Sequence, residues 1–365
     1  MAEPFKNMFN PTSVGEFATA IKSAYGPFRK ESFLKSIFDD TWDDLELKAR
    51  GRKICMSLGE YLPKDYADAL DVIDKVVGAY EGICLFSFTD YVEVYGQNDS
   101  DLELSITALG RYTQYSSSEF AVRPFIIKHQ KRMMDQMYAW SKDENEHIRR
   151  LSSEGCRPQL PWGQVLTEFK KDPSPILPIL EQLKVDPSLY VRKSVANNLN
   201  DISKTHPDLV IRIANEWHGK NEYTDWVLKH GLRTLLKKGN RDALALFGYD
   251  DIESVKVESF SVDRKVTSIG EDIVFSFTVS VKEATKTRLE YAIDYVKSNG
   301  KRSRKIFQIS EIPLKKNETR QYSKKHSFMD LTTRKHYPGK HSITLIVNGM
   351  ERGTLDFELD ANNVV

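Results

Sequence analysis

The spacing of apolar residues divides the chain into two regions. Up to about residue 250 they recur at intervals of three and four positions, and the breaks fall at Asp-Pro, His-Pro and Leu-Pro pairs. Apolar residues at these intervals lie on one face of a helix, and proline favours the first helical turn. The pattern predicts a run of amphipathic helices over residues 1–250.

A loose repeat recurs within the helical region. Each copy has a polar or proline-containing start, a β-branched residue followed by basic residues, and then a helix rich in small residues. The β-branched positions are Val122, Ile148, Val191 and Val227, which are 26, 43 and 36 residues apart. These intervals bracket the helix-pair repeats of α-solenoids. We expect a HEAT-like superhelix whose concave face is formed by the second helix of each pair.

After Gly248–Asp251 the period changes to two. Apolar and polar residues alternate over Ile273–Val281 and over Leu289–Tyr295, as in strands with one buried face. Ile343–Val347 runs into Asn348-Gly349, a dipeptide that favours a two-residue hairpin turn. Several short strands within about 110 residues predict a small antiparallel β-sandwich of immunoglobulin-like architecture.

The expected fold class is therefore multidomain α + β, with an α-helical solenoid at residues 1–250 and a β-sandwich at residues 253–365. A chain of 365 residues is long enough for two domains, and 40% hydrophobic residues are typical of a globular protein. The N-terminus lacks the apolar core of a secretory signal, and no apolar run approaches the roughly 18 residues of a membrane span. Cys55, Cys84 and Cys156 share no metal-ligand spacing. We expect a cytoplasmic protein with reduced cysteines, no metal and no cofactor.

The net charge of +1 conceals an asymmetry, because the residues from 253 onward carry 20 basic and 15 acidic side chains. Five of those basic residues lie in Lys297–Lys305, around a Ser-Asn-Gly turn. An exposed basic turn can follow DNA phosphates or enter a minor groove. A solubilising hairpin that contacts nothing is an equally good interpretation.

The stretch Arg149–Trp162 is the most informative part of the chain. It predicts a helix that ends at a Pro-x-x-Pro corner carrying Trp162. Arg150, Glu154 and Arg157 fall at i, i+4 and i+7, which places them on one helix face. A surface that binds DNA repels a carboxylate, so an acid among basic residues requires a structural or a catalytic reason.

A second acid lies in the helix that follows Asp186-Pro187. Its buried stripe is predicted to consist of Val191, Val195, Leu199 and Ile202. Lys193, Asn197 and Asp201 line up on another face. Lysine and asparagine suit contacts to phosphates and base edges, whereas Asp201 is again a lone acid. On the residues alone, an ordinary solvated face is the favoured alternative.

Trp226–Gly239 is predicted to be a third helix of interest. Lys229, Arg233 and Lys237 are successive i+4 neighbours, and their like charges repel one another in an isolated helix. A phosphate backbone would relieve that repulsion. A solvated stripe closed by the Gly239 C-cap explains the pattern equally well.

Two further residues have structural alternatives that are favoured on sequence alone. Ser116-Ser117-Ser118-Glu119 fits a capping box, in which the Glu119 carboxylate would only satisfy a helix N-terminus. Trp162 would pack in the core as a loop anchor, as most tryptophans do.

Four segments resemble signatures of the AlkC group of alkylpurine DNA glycosylases, in their expected order. They are Ser118–Pro124, Glu154–Pro158 with Leu160–Trp162, Val195–Asp201 and His230–Leu235. The resemblance spans most of residues 1–250, and the C-terminal sandwich resembles the Ig-like extension of one branch of that family.

The resemblance implies a monofunctional DNA glycosylase. Glu119, Glu154 and Asp201 would be the active-site acids, and Trp162 would lie beside the sugar of the lesion; the sequence does not depart from the family pattern at these positions. The implied substrate is double-stranded DNA with cationic alkylated bases such as 3-methyladenine, 3-methylcytosine and 1-methyladenine. The bases would be excised without being flipped into a pocket. The implied protein is a bacterial monomer that is associated with the nucleoid when it is bound to DNA. The residues expected to contact DNA are Arg149, Arg150, Arg157, Lys193, Asn197, Asn198, Lys229, His230, Arg233, Lys237, Lys301, Arg302 and Arg304.

Two other functions are compatible with the residues. A non-enzymatic HEAT-like scaffold that binds DNA or protein would explain the repeats and basic stripes, but it leaves the three acids without a role. An enzyme of the same fold could instead prefer 7-methylguanine, as the related AlkD group does.

Overall fold

The computed structural model describes residues 4–251, 253–331 and 334–361. Its sixteen described α-helices, α1 to α16, are Pro11–Ala24, Lys30–Ile37, Leu47–Tyr61, Tyr66–Val77, Phe86–Tyr95, Leu102–Tyr112, Val122–Lys128, Gln130–Trp140, Glu146–Glu154, Thr167–Lys171, Leu177–Leu183, Leu189–Ile202, Pro207–Trp217, Glu222–Gly231, Arg233–Lys237 and Arg241–Leu246. The described strands, β1 to β8, are Val255–Val262, Val266–Ser268, Asp272–Val281, Thr285–Val296, Arg302–Leu314, Thr319–Ser327, Gly339–Val347 and Met350–Asp360. The predicted fold class, helices followed by a sandwich, is confirmed. No described helix has the length and apolarity needed to cross a membrane.

The Cα packing divides the chain into two compact units. The first comprises Met1–His206 with Gly219–Gly231, and the second comprises Pro207–His218 with Leu232–Val365. The first unit therefore holds α1 to α12 and α14. The second holds α13, α15, α16 and all eight strands.

Helix α12 shows why the helical pattern folds as predicted. Its stripe of Val191, Val195, Leu199 and Ile202 is fully buried, and α12 packs against both α9 and α14. Burying an aliphatic side chain of this size contributes about 1.5–3 kcal/mol relative to leaving it exposed. The stripe therefore fixes the rotation of α12 about its axis, which decides where its polar residues point.

The predicted single helix over Trp226–Gly239 is wrong. Helix α14 ends at Gly231, Leu232 leaves the helical conformation with φ −89° and ψ 6°, and α15 begins at Arg233. A Cβ at Gly231 would lie 3.1 Å from the Cβ of Leu199, so the absence of a side chain permits the close approach to α12. The i+4 spacing of Lys229, Arg233 and Lys237 therefore does not correspond to one continuous helix.

The strands form two sheets, as the alternation predicted. One has the order β1-β3-β6 and the other the order β2-β8-β7-β4-β5. All pairs are antiparallel except β2, which runs parallel to β8 with Val266 opposite Glu358. Strand β3 alternates strictly between buried and half-buried residues, and its apolar face contributes to the sandwich core.

The predicted hairpin at Asn348-Gly349 joins β7 to β8. Both residues have positive φ, 46° and 73°, as a type I′ turn requires, and asparagine and glycine tolerate this conformation best. The Asn348 side chain also accepts a hydrogen bond from the Arg288 amide at 2.7 Å and donates to the Asp251 carbonyl at 2.8 Å. The turn is thus anchored within its own unit.

A buried histidine links the two sheets. The ring nitrogens of His326 on β6 bond to the hydroxyls of Tyr291 and Tyr295 on β4, at 2.9 and 2.7 Å. Burial disfavours the imidazolium, and His336 and Arg334 add positive charge nearby, which together lower the pKa of His326 to about 4. The histidine is therefore neutral in the folded sandwich at pH 7.

We expect the free energy of unfolding to decrease as the pH is lowered from about 7.5 to about 5. The unfolded histidine has an ordinary pKa and binds a proton that folded His326 does not, so its stabilising contribution is complete above the unfolded pKa and is lost as the pH falls towards the folded pKa of about 4. By pH 5 the loss from His326 should be about 2 kcal/mol. Denaturant titrations of the full chain and of His326→Gln should show a smaller pH dependence in the variant. Equal dependences would contradict this account, since carboxylate titration is common to both proteins.

Candidate functional site

An acid–arginine cluster, defined as Glu119, Arg150, Glu154, Arg157 and Asp201, brings together the three predicted acids. Arg150 lies 2.5 Å from Glu119 and 3.7 Å from Glu154. Arg157 lies 2.5 Å from Glu154 and 2.8 Å from Asp201. Acidic and basic groups therefore alternate along an unbroken chain of contacts. The carboxylates that the sequence presents as lone acids are all paired.

Glu154 occupies the last position of α9, which ends before Gly155, earlier than the predicted end at the Pro-x-x-Pro corner. The prediction that Arg157 shares the helix face of Arg150 and Glu154 is wrong, because Arg157 lies beyond the end of the helix. Its guanidinium nevertheless returns to the Glu154 carboxylate and donates through Nη1. Glu154 is only 5% exposed, so it depends on this contact for compensation of its charge.

Asp201 lies one residue before the end of α12 and is 2% exposed. Its Oδ2 accepts from Nε of Arg157 at 2.8 Å, and its Oδ1 accepts from Nζ of Lys204 at 2.8 Å. Lys193 is exposed and Asn197 half-buried on the same helix. The predicted row thus begins in solvent at Lys193 and ends inside the cluster at Asp201.

Glu119 does not cap a helix, so the capping-box interpretation is wrong. Helix α7 begins at Val122 with Ala121 as its N-cap. The Glu119 carboxylate instead accepts from the Ser117 hydroxyl at 3.0 Å and pairs with Arg150. Arg150 also lies over the Tyr190 ring, 5.0 Å from its centroid. These contacts hold Glu119 beside Glu154 although the two acids are 35 residues apart.

Trp162 is presented to solvent, so its interpretation as a core anchor is wrong. It is 79% exposed and has a φ of 62°. The turn Leu160–Gly163 is closed by the Gly163 amide donating to the Leu160 carbonyl at 3.0 Å. Proline at the second position and positive φ at the third are features of a type II turn, in which the third position favours glycine. A tryptophan there carries about 1–2 kcal/mol of backbone strain.

Arg123 is the residue that the sequence analysis did not recognise as part of the site. It is fully buried, and it donates to the carbonyls of Gly155 and Arg157 at 2.8 and 2.9 Å and to that of Gln164 at 2.5 Å. These three carbonyls bracket the corner that carries Trp162. A charged residue between the apolar Val122 and Pro124-Phe125 was the available signal.

The pKa values of the buried arginines Arg123 and Arg157 are shifted in opposite directions. Burial of Arg123 disfavours its charge and lowers its pKa to about 10, so it remains protonated at neutral pH. Burial also acts against the charge of Arg157, but the carboxylates of Glu154 and Asp201 outweigh it and raise the pKa of Arg157 above its usual value. Neighbouring Cys156 is buried, which raises the pKa of its thiol to about 12, so the thiol is protonated.

Arg150 and Arg157, which were predicted to contact DNA, belong to the acid–arginine cluster. Two further residues of that prediction, Arg149 and Asn198, have structural contacts instead of an open surface. Arg149 pairs with Asp186 at 2.6 Å and donates to the Asp143 and Glu144 carbonyls. Asn198 is fully buried, and its amide donates to the Ser153 carbonyl at 2.8 Å. Arg149 thus joins α9 to the segment before α12, and Asn198 joins α12 to α9.

The predicted basic residues of α14 and α15 lie in different units. In the first unit, Lys229 is half-buried and His230 exposed, with the His230 ring stacked on Trp226 at 3.8 Å between centroids. In the second unit, Arg233 is half-buried and Lys237 is exposed.

The basic loop of the sandwich is shorter than predicted. Lys301 lies at the turn and is exposed, but β5 begins at Arg302. Arg302 donates to the Ser342 hydroxyl at 2.9 Å, and Arg304 pairs with Glu351 at 2.7 Å. Arg302 and Arg304 are therefore exposed strand residues with partners, not free loop cations.

Among the described residues, no group of three or more histidine, cysteine, aspartate and glutamate side chains is placed to hold a metal ion. Each acid of the cluster is paired with an arginine, and Asp201 is also paired with Lys204. Each carboxylate that could coordinate a metal ion is thus bonded to a protein cation.

The chain is similar to known proteins along almost its whole length. Residues 114–235, which include the whole acid–arginine cluster and Trp162, match the family described as "DNA alkylation repair enzyme". Residues 256–361 match the family described as "Uncharacterised protein YhaZ, C-terminal Ig-like domain". The uncharacterised protein YhaZ of Bacillus subtilis (strain 168) is 48% identical over 354 residues, which cover 97% of this chain and 99% of YhaZ.

A solved structure extends the similarity to the fold. Pseudomonas fluorescens alkylpurine DNA glycosylase AlkC, bound to DNA containing an abasic site analog, matches with a TM-score of 0.94 at 38% sequence identity. The match covers 98% of this chain and 100% of AlkC. The chain therefore belongs to the DNA alkylation repair enzyme family, as an AlkC-like DNA glycosylase with a YhaZ-type C-terminal Ig-like domain.

Proposed function

We propose that this glycosylase hydrolyses the N-glycosidic bond of cationic alkylated bases in double-stranded DNA, including 3-methyladenine and 3-methylcytosine. The acid–arginine cluster beside a solvent-presented Trp162 is the observation that carries the proposal. The similar AlkC was solved bound to DNA containing an abasic site analog, the type of product that base release leaves.

The chemistry requires little from the protein at the base. An N3-alkylated base already carries a positive charge. When the C1′–N bond breaks, its electron pair goes to the base, which leaves as a neutral molecule. No general acid is therefore needed. Positive charge develops on the deoxyribose, and a water oxygen then bonds to C1′ while its proton passes to a carboxylate or to solvent. The protein has to stabilise the cationic sugar and position the water.

The cluster has the charge for this reaction. Its three carboxylates face two guanidinium groups, which leaves one net negative charge, while Lys204 lies at the edge. We assign Glu154 and Asp201 to stabilising the sugar and positioning the water, and Glu119 to holding the water or its partners. The electron-rich face of Trp162 would lie against the deoxyribose. The lysine that contacts the cluster, Lys204, holds its ammonium in an ion pair with Asp201 and is not assigned a nucleophilic role, so the proposed reaction ends at hydrolysis without strand cleavage.

We expect Asp201→Asn and Glu154→Gln to remove most base release without preventing folding. Losing one such electrostatic group should lower the single-turnover rate by about 10²–10³-fold, which is about 2.7–4 kcal/mol. The measurement is base release from DNA treated with a methylating agent, with the released bases resolved by mass, which also separates 3-methyladenine from 7-methylguanine.

Asp186→Asn is the matched control for these variants. Asp186 is also buried and pairs with an arginine of α9, so its neutralisation disturbs the same helix in the same way but leaves the cluster intact. It should retain base release. Near-wild-type rates in both Asp201→Asn and Glu154→Gln would refute the mechanism, whereas equal losses in all three variants would point to general destabilisation.

In the first unit, we propose that Lys193 and Lys229 contact DNA phosphates, and in the second unit we propose the same of Arg233 and Lys237. Arg149 and Asn198 are left out because they link α9 to α12 and to the segment before it. Each phosphate contact removed should lower the slope of log affinity against log salt by about 0.9. Neutralising each residue singly and titrating salt tests this, with Lys75→Met on α4 as a lysine outside the predicted set. Wild-type slopes in the four variants would show that these residues do not meet phosphates.

For the sandwich, we propose that the Lys301 turn contacts DNA. Arg302 and Arg304 have partners in the sheet, so substituting them would also change the stability of the sheet. Lys301→Ala tests DNA contact alone. Lys316→Ala, at another exposed turn, is its control. Lys301→Ala should lower the salt slope by about 0.9 and leave the unfolding midpoint unchanged. An unchanged slope would show that the turn does not meet phosphates.

A further inference from the structure

Lys48 of α3 contacts both the segment that carries Trp162 and the segment that carries Glu119. Its Nζ donates to the Trp162 carbonyl at 2.9 Å, across 114 residues of sequence. The same Nζ lies 4.1 Å from the centroid of the Phe120 ring. Phe120 directly follows Glu119, and its ring lies edge-on to Phe86 of α5 at 6.3 Å. One ammonium group thus connects two parts of the proposed site to the N-terminal helices.

The Trp162 corner needs such a contact because its conformation is strained. A non-glycine residue with φ 62° persists only where the surrounding structure holds it. On the buried side, Arg123 donates hydrogen bonds to the carbonyls of Gly155 and Arg157, which precede Trp162, and of Gln164, which follows it. Lys48 is the donor that reaches the carbonyl of Trp162 itself, from the solvent side.

We propose that Lys48 is a positioning residue for base release, and this inference rests on the proposed role of Trp162 at the sugar. Lys48 fixes the peptide plane that follows Trp162, and with it the direction in which the indole projects. The cation–π contact with Phe120 keeps the ammonium in place without neutralising it. A positive charge gives no electrostatic stabilisation to a cationic sugar, so the contribution of Lys48 is geometric.

The test compares Lys48→Met, Lys48→Arg and the control Lys53→Met in the full-length protein. Lys53 lies on the same helix and pairs with Asp39, so its loss removes an equal charge from α3 but no contact to Trp162. Lys48→Met should lower the single-turnover rate at saturating enzyme about tenfold. Its Kd for DNA containing an abasic-site analogue should stay within about twofold of wild type. Lys48→Arg should recover most of the rate, and Lys53→Met should match wild type.

A spectroscopic measurement reports the position of the indole directly. With 5-fluorotryptophan incorporated, the fluorine resonance of Trp162, assigned through Trp162→Phe, should shift in Lys48→Met and remain unchanged in Lys53→Met. An unchanged resonance in Lys48→Met would overturn the inference, since a residue that does not alter the indole cannot act through it.

A double-mutant cycle separates action through Trp162 from direct contact with DNA. In a Trp162→Ala background, Lys48→Met should cause no further loss of rate. Additive losses, or a loss confined to Kd with a smaller salt slope, would mean that Lys48 contacts phosphate and would overturn the inference. Wild-type rates in Lys48→Met alongside slow Trp162→Ala would refute this inference alone, whereas a wild-type rate in Trp162→Ala would refute the proposed role of Trp162.

Discussion

The arrangement of the site depends on one guanidinium that serves two nearly buried carboxylates. Arg157 bonds Glu154 at the end of α9 and Asp201 near the end of α12. Removing a charged group from water is unfavourable by several kcal/mol, and close pairing with additional hydrogen bonds offsets that penalty. Without Arg157, Glu154 would keep only its longer contact with Arg150, and Asp201 would keep only its contact with Lys204. The packing of the two helix ends and much of the charge compensation of both acids therefore rely on the same contact.

Arg123 makes that contact possible by shaping the segment in which Arg157 lies. Its planar guanidinium donates hydrogen bonds to three backbone carbonyls in the non-helical segment from Gly155 to Gln164. Irregular backbone of this kind leaves carbonyls that no helix or sheet satisfies, and unpaired buried carbonyls are unfavourable. Satisfying them with one buried cation fixes the corner closely enough to keep Trp162 in a conformation that favours glycine.

Features set by local periodicity could be predicted from the sequence, whereas contacts between distant residues could not. The buried stripe of α12, the alternation in β3 and the Asn348-Gly349 hairpin follow from spacing and from the backbone preferences of single residues. The exposure of Trp162 depends on what surrounds the corner. The break at Leu232 follows directly after Gly231, which lies close to Leu199 of α12, and helical periodicity reveals neither feature.

The acids themselves were identified for a reason that the structure revises. A carboxylate in a basic row suggests repulsion of DNA, but each acid of the cluster has a cationic partner within 2.8 Å. The field of a paired charge falls off faster with distance than that of a single charge, and salt screens what remains beyond about 10 Å. Phosphates passing at that distance meet a nearly neutral surface. A sugar in contact with a carboxylate oxygen meets a negative charge, so the proposed site can stabilise a cation while repelling the more distant phosphates only weakly.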